Sequence, residues 1–343
     1  MTTVIPCSSR NIAIFGAGNI GCYVGGRLCA SGENVQFIGR QRTADIIHAH
    51  GIALSDHRGW HATLNANQIN FSTELAAATQ ADLVLVTVKS AATEEAARLL
   101  RPHLKPDACI ISLQNGLHNA ELLATLLPQH TVLTGMVPFN VAQQAPGHFH
   151  QGSEGNIAIE NSPRLSLYIN IFSAAGLPLD LHTDMKPVQW SKLLFNLNNA
   201  INALSGLPLK TELSQRAYRK VLALAQREAI ALLQAQGQPL VKLTPLPPHW
   251  VPALLNIPDW AFRIAANKML EIDPLARSSM HDDLIAGRKT EIDYLQGEII
   301  RLATTQGKSA PINTALLQLI HATEQGGRRD WSGENLLAAV QAN

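Results

Sequence analysis

Asn11-Ile-Ala-Ile-Phe15 runs straight into Gly16-Ala-Gly18-Asn-Ile-Gly21. After a helical stretch the chain reads Val35-Gln-Phe-Ile38-Gly39-Arg40. A GxGxxG pattern alone says little. Here it follows a buried-strand pattern and opens a helix, the context a dinucleotide site requires. Gly16 permits the tight turn, Gly18 lets the backbone approach a pyrophosphate, and Gly21 lets helix and strand pack closely. The pyrophosphate then lies on the unpaired N–H groups at the positive helix N-terminus. Gly16, Ala17, Gly18, Asn19, Ile20 and Gly21 are therefore the first cofactor-binding candidates; the plain alternative is a glycine turn with no ligand.

The end of the second strand selects the cofactor. An NAD site wants Asp or Glu there, bonding the ribose hydroxyls. This strand ends Phe37-Ile38-Gly39-Arg40, with Arg42 close behind, and the nearby acid, Glu33, precedes it. A guanidinium suits a 2′-phosphate through paired hydrogen bonds. The expected cofactor is NADP(H), with Arg40 on the phosphate; a solvated surface arginine is the alternative.

Composition bounds the rest. The 343 residues suffice for two domains, and 46% hydrophobic with 15% charged residues describes a chain with a substantial core. A net charge of +1 argues against a nucleic-acid surface. No apolar run is long enough to span a bilayer, and Met1–Arg10 lacks a signal-peptide hydrophobic region, so no membrane partner and a cytoplasmic location are expected. Cys7, Cys22, Cys29 and Cys109 form no CxxC pair. Cys22 and Cys29 share a helix face and read as reduced core thiols. The pairs His48/His50 and His148/His150 lack companions that would complete a zinc set, so no metal is expected.

The first half alternates strands and helices: Ala81–Val88 as a buried strand ending at Lys89, Ala91–Leu100 helical, Ala108–Leu113 a strand ending at Gln114-Asn115-Gly116, Leu117–Leu127 helical, Thr131–Phe139 a strand. This rhythm predicts an α/β fold, an N-terminal Rossmann-type doubly wound, mostly parallel sheet. Gly147–Gln151 and Asn156–Glu160 read as a hairpin, Arg164–Ala175 as helix and Leu177–Leu181 as a last strand. An all-helical C-terminal domain follows, giving domains 1–184 and 185–343. Its expected helices are Lys186–Leu204, Ser214–Gln236, Trp260–Leu270, Pro274–Ala286, Thr290–Thr305 and Asn313–Gln325. The proline-rich stretch 238–258 reads as a structured loop or short helices.

Ligands of open α/β sheets bind beyond the carboxyl ends of the strands. Lys89 and Asn115 fall there, and either could touch nicotinamide, ribose or substrate; Asn115-Gly116 could equally be a simple turn. The helix after the boundary contains Trp190-Ser-Lys192-Leu-Leu-Phe-Asn196-Leu-Asn198-Asn199. Lys192, Asn196 and Asn199 share one face of it. A lysine and two amides on a largely apolar helix are costly unless they meet partners. A polar cluster facing a cleft explains them, as would a helix–helix hydrogen-bonding seam. A buried lysine also suits proton transfer, since its pKa falls readily. Further on, Gly287 breaks the segment between Ser279 and Glu291, which lets both face one cleft.

These motifs together resemble the ketopantoate reductases (2-dehydropantoate 2-reductases) over nearly the full length. The resemblance rests on Gly16–Gly21, Val88-Lys89-Ser90, Gln114-Asn115-Gly116, Trp190-Ser-Lys192-Leu-Leu-Phe-Asn196 and Ser279…Arg288-Lys-Thr-Glu291-Ile-Asp293-Tyr294. It implies NADPH-dependent reduction of 2-dehydropantoate to (R)-pantoate, on the route to pantothenate and coenzyme A. By the same resemblance Lys192 is the proton donor and Glu291 a catalytic carboxylate near the nicotinamide ribose and the substrate. Asn115, Asn196 and Ser279 are substrate contacts, with Asn199 the candidate for the family's second helix amide. Asn115, Lys89, Arg40 and, through its backbone, Val141 are cofactor contacts. Three departures stand out: the family's second helix amide lies eight residues after the lysine, where this chain has Ala200; no asparagine follows near Leu207-Pro208-Leu209; and the proline-rich segment 238–258 and the tail Arg328–Asn343 are longer than in a minimal member. Alternatives are a reductase of another 2-oxo acid, an opine-type dehydrogenase, or an NADP(H) sensor without turnover. The expected partner is a small 2-oxo acid, and spare apolar surface on the helical domain allows a homodimer.

Overall fold

Alternate residues of the opening strand point to opposite faces of a sheet that is covered on both sides. In the computed structural model, which describes residues 10–266 and 276–342, the strands are β1 (Asn11–Phe15), β2 (Asn34–Ile38), β3 (Ile52–Asp56), β4 (His61–Leu64), β5 (Asn70–Ser72), β6 (Leu83–Val86), β7 (Cys109–Ser112), β8 (Thr131–Met136), β9 (Val141–Ala145), β10 (His148–Gln151), β11 (Ile157–Glu160) and β12 (Leu179–His182). Ile12, Ile14, Val35, Phe37, Leu83, Leu85 and Ile111 join one core with Cys22, Tyr23, Val24 and Leu28 of the helix Asn19–Ala30. Their strand neighbours Ala13, Phe15, Ile38, Val84, Val86 and Ile110 join a second core with Ala96, Ala97, Leu100 and Leu123. Burial on both faces is why these strands read as continuous apolar runs.

The main sheet has the order β12-β11-β8-β7-β6-β1-β2-β5. β8, β7, β6, β1, β2 and β5 are parallel, while β11 runs antiparallel to β8. Chain order reverses between β1 and β6, the switch point at which such sheets open a crevice. This is the Rossmann-type doubly wound fold read from the sequence, followed by a helical region. The chain divides into two compact units, Met1–Met185 and Lys186–Asn343.

Several expectations need correction. His148–Gln151 and Ile157–Glu160 are not a hairpin. β10 pairs with β3 and β9 in a separate four-stranded sheet, β4-β3-β10-β9, whereas β11 sits in the main sheet. The expected helix Lys186–Leu204 is two helices, Lys186–Asn196 and Asn198–Ser205. Two buried glutamines interrupt its ladder: Gln226 Nε2 donates to Leu194 O at 3.0 Å and Gln296 Nε2 to Leu197 O at 2.8 Å. Side chains entering the backbone ladder are a recognised cause of helix breaks. The helix expected at Thr290 starts at Gln296, after a 3₁₀ turn Ile292–Tyr294. Helix Arg216–Ala235 follows the sequence reading closely, and 238–258 holds the short helix Val251–Leu255. Helix Asp259–Ala265 covers the start of Trp260–Leu270, and Ser279–Ile285 part of Pro274–Ala286, where residues 276–278 are not helical and Ser278 caps the helix instead; residues 267–270 and 274–275, like Cys7, lie outside the described residues.

Cys22, Cys29 and Cys109 are free thiols, and burial pushes Cys22 up to about 12 and Cys109 to about 11. No helix of the described residues is long and apolar enough to cross a membrane. His148 and His150 both hydrogen-bond Ser55 Oγ at 2.8 Å, and no group of three or more metal-ligating side chains occurs among the described residues.

Candidate active site

In the first unit the candidates gather at the carboxyl ends of four adjacent parallel strands. The glycine turn follows β1, Arg40 follows β2, Lys89 follows β6 and Asn115 follows β7. Gly16 has φ +109°, and a Cβ on it would lie 2.6 Å from Val88 N, so only glycine fits the turn. A Cβ on Gly21 would meet Gly16 O and, at 2.7 Å, Thr87 Oγ1. Gly18 differs: beyond its own and adjoining residues, nothing lies within 4 Å of where its Cβ would be. The helix that begins there has no side-chain cap and no acid in its first turn. A free positive helix end beside open space fits a dinucleotide pyrophosphate.

Asn19 Nδ2 donates to Val141 O at 3.2 Å, bringing β9 onto the glycine turn. Arg40 and Lys89 are exposed. The carbonyl of Arg40 starts the helix Gln41–His50, accepting from Thr43 N at 2.9 Å and Ala44 N at 3.1 Å. A hydrogen-bond relay fixes the Asn115 turn. Ser112 Oγ donates to Gln114 Oε1 (2.9 Å), Gln114 Nε2 to Thr93 Oγ1 (2.7 Å), Thr93 Oγ1 to Asn119 Oδ1 (2.8 Å), and Asn119 Nδ2 to Ser90 Oγ (3.1 Å). Ser90 Oγ then donates to Asn115 O at 2.8 Å, and Asn119 Nδ2 also donates to that carbonyl. Each donor is used in one direction, so the relay has one orientation and ties the loops after β6 and β7 together.

In the second unit, every residue from Pro187 to Ser205 is buried except Lys192, Phe195, Asn196 and Asn199. These lie at spacings of three, four and seven residues, so the accessible side chains make one stripe. Lys192 keeps some surface open but is densely surrounded by protein, and desolvation lowers its pKa to about 8. Its neighbour Ser191 accepts the Val241 N–H at 2.9 Å, docking the proline-rich stretch there.

Ser278, not Ser279, caps the helix Ser279–Ile285, accepting from His281 N at 3.1 Å; Ser279 itself is exposed. Gly287 ends this helix with φ +63°. Glu291 is half-buried in a turn braced from both sides: Thr290 N donates to Glu324 Oε1 at 2.8 Å, and His321 bridges Asp293 (3.1 Å) and Glu324 (3.2 Å). The two carboxylates hold the His321 pKa above its usual value against its partial burial. Hydrogen bonds from Thr290 and His321 hold Glu324 below its usual value, likewise against burial.

The sequence reading missed the residues behind the stripe: Gln226 and Gln296 at the helix break, and Asn198, Asn202 and Glu212 beneath it. The i, i+4 spacing of Asn198 and Asn202 within an apolar run was the available signal.

A doubly wound sheet with a glycine turn at its switch point, followed by a helical unit bearing a desolvated lysine, defines a nucleotide-dependent oxidoreductase architecture. The model "Ketopantoate reductase PanE/ApbA" matches residues 12–164 and its C-terminal counterpart residues 184–324. The chain belongs to the ketopantoate reductase family, a family of oxidoreductases. It is 27% identical to the 2-dehydropantoate 2-reductase of Halobacterium salinarum, over 92% of this chain and 99% of that protein. Among solved structures it is similar to a PanE/ApbA family ketopantoate reductase from Ralstonia eutropha JMP134 (TM-score 0.78, 30% identity, 92% of this chain and 99% of that one). It also shares its fold with a D-mandelate dehydrogenase solved with NADH and anilino(oxo)acetate (TM-score 0.76, 21% identity, 92% and 99%).

Proposed function

We propose that the protein reduces 2-dehydropantoate to (R)-pantoate with NADPH. The observation that carries this reading is the stripe of Lys192, Phe195, Asn196 and Asn199 along two otherwise buried consecutive helices, with a desolvated ammonium at one end. The glycine turn Gly16–Gly21 would hold a nicotinamide dinucleotide, which would supply the hydride. Negative charge develops on the substrate's C2 oxygen, where Lys192 stabilises it and delivers the proton. Asn196, Asn199 and Ser279 bind the substrate's carboxylate and hydroxyl and so fix its orientation. Glu291, Lys89, Asn115 and the Val141 backbone would line the cofactor and substrate, and Arg40 would take the 2′-phosphate. Selection of NADP is supported by Gly39-Arg40 after β2 and by the lack of an acid there. The domain division is read at 184/185.

The test is turnover. Lys192→Ala should lose most of its kcat while NADPH binding, followed by fluorescence titration, stays near wild type. Near-normal turnover in that variant refutes the mechanism. A second reading, reduction of a different 2-oxo acid, is favoured by Ala200 at the position of the family's second helix amide. A panel of 2-oxo acids, with and without amines, separates it and the opine-type reaction from the first; failure of every acid to oxidise NADPH would leave a sensor. Exposed Trp260 and Ile264, one turn apart on Asp259–Ala265, are apolar surface that a homodimer would cover, and light scattering tests that assembly.

A further inference from the structure

Glu212 is wholly buried in the short helix Leu209–Leu213, and it has no ion-pair partner among the described residues. Its Oε2 accepts from Asn198 Nδ2 and from Asn202 Nδ2, each at 3.1 Å. Asn202 Nδ2 also donates to Leu207 O at 2.9 Å, while its Oδ1 accepts the Ser278 N–H at 2.9 Å. Both N–H bonds of the Asn202 amide are thus spent on one side, and its oxygen has one direction left. A flipped amide would set oxygen against the Glu212 carboxyl and N–H₂ against the Ser278 N–H. The acid therefore selects the orientation.

Ser278 passes that constraint on. Its Oγ donates to Asn199 O at 3.2 Å and caps the helix that Ser279 begins. Leu209 N donates to Ala276 O at 2.9 Å, and Arg277 Nη1 donates to Gly206 O. The strand of chain leading into Ser279 is thereby stitched to the segment 199–209.

We propose that Glu212 is a positioning residue for the oxo-acid site, holding the Asn202 amide so that it fixes the Ser278 N–H and, with it, the turn presenting Ser279 to the helix of Asn199. The role rests on the reading of the chain as a 2-oxo-acid reductase. Glu212 acts as an uncharged carboxylic acid. Its Oε1 is buried without a hydrogen-bond partner, and a proton on the carboxyl removes a charge that meets no ion-pair partner among the described residues. Burial pushes its pKa up to about 8, in the same sense.

Full-length Glu212→Leu, Glu212→Gln and Asn202→Ser are compared with wild type using NADPH and the 2-oxo acid that wild type reduces fastest. Glu212→Leu should raise KM for the oxo acid at least about tenfold, with KM for NADPH within about twofold, because one site loses its geometry and the other does not. Glu212→Gln keeps the acceptor oxygen and should hold both constants within about threefold. If the leucine variant does not fold, Asn202→Ser carries the same expectation. Equal rises in the two KM values, or a glutamine variant as impaired as the leucine one, overturn the proposal. A wild type that reduces no 2-oxo acid removes the functional reading and the Glu212 role together. A wild type that reduces one, alongside a leucine variant with unchanged KM, removes the Glu212 role alone.

Discussion

Raising the pH from about 7 to about 9 should slow the reduction of a 2-oxo acid about tenfold at saturating substrates. The magnitude comes from Lys192, whose pKa desolvation lowers to about 8. A proton donor must enter the step charged, and a group of that pKa is about 90% protonated at pH 7 but about 10% at pH 9. An unperturbed lysine would still be about 97% protonated at pH 9 and would show no loss. Oxidation of the alcohol needs the neutral amine as base, so its kcat should climb over the same interval. Initial rates from NADPH absorbance, with both substrates saturating, give kcat in each direction. Glu212 also titrates near 8, so the profile is repeated in Glu212→Gln. An inflection that survives belongs to Lys192. A reduction kcat that stays flat through pH 9, or profiles that bend the same way in both directions, would refute proton delivery by this side chain.

Arg40→Ala should raise KM for NADPH at least about tenfold and leave KM for NADH within about twofold, since only the former loses a phosphate contact. Gly16→Ala should weaken NADPH binding in titration and lower the melting temperature, because φ +109° and the approach to Val88 N exclude a side chain. Glu212 has a folded pKa above its unfolded value, so its contribution to stability is full below about pH 4.5 and lost as pH rises toward about 8. Denaturant melts should therefore show Glu212→Gln gaining on wild type from pH 5 to pH 8. Glu324→Gln should cost roughly 1–2 kcal/mol near neutral pH by removing the ionised acceptor of the Thr290 N–H. Glu324's depressed pKa makes that loss shrink as the pH falls below about 4.5.

What the sequence made legible was local. The β1–glycine turn–helix unit declares itself within a few residues because the apolar run, the turn and the helix start are contiguous. The small sheet was illegible for the opposite reason. β10 pairs with β3, and the Ser55–His150 contact spans 95 positions. β10 also has a single fully buried apolar residue, Phe149. Gly152 and Gly155 therefore read as a hairpin turn, when that stretch carries the chain from one sheet to the other. The helices Gln41–His50 and Gly333–Gln341 also went unread.

The same divide runs through the site. Lys192, Asn196 and Asn199 could be picked out because helical spacing is a local property. The break at Leu197 could not, since the amides that cause it arrive from 32 and 99 positions away. That break bears on the chain's departure from the family spacing. Ala200, where the second amide is expected, is wholly buried, whereas Asn199 remains accessible alongside Lys192, Phe195 and Asn196. An asparagine at 200 would spend its amide in the core, at the cost of an unpaired polar group. At 199 it stands in the stripe with the lysine. A swap, Asn199→Ala with Ala200→Asn, should therefore lose oxo-acid affinity rather than bring the chain closer to the family, and recovery of a low KM in that double variant would show that spacing matters more than access.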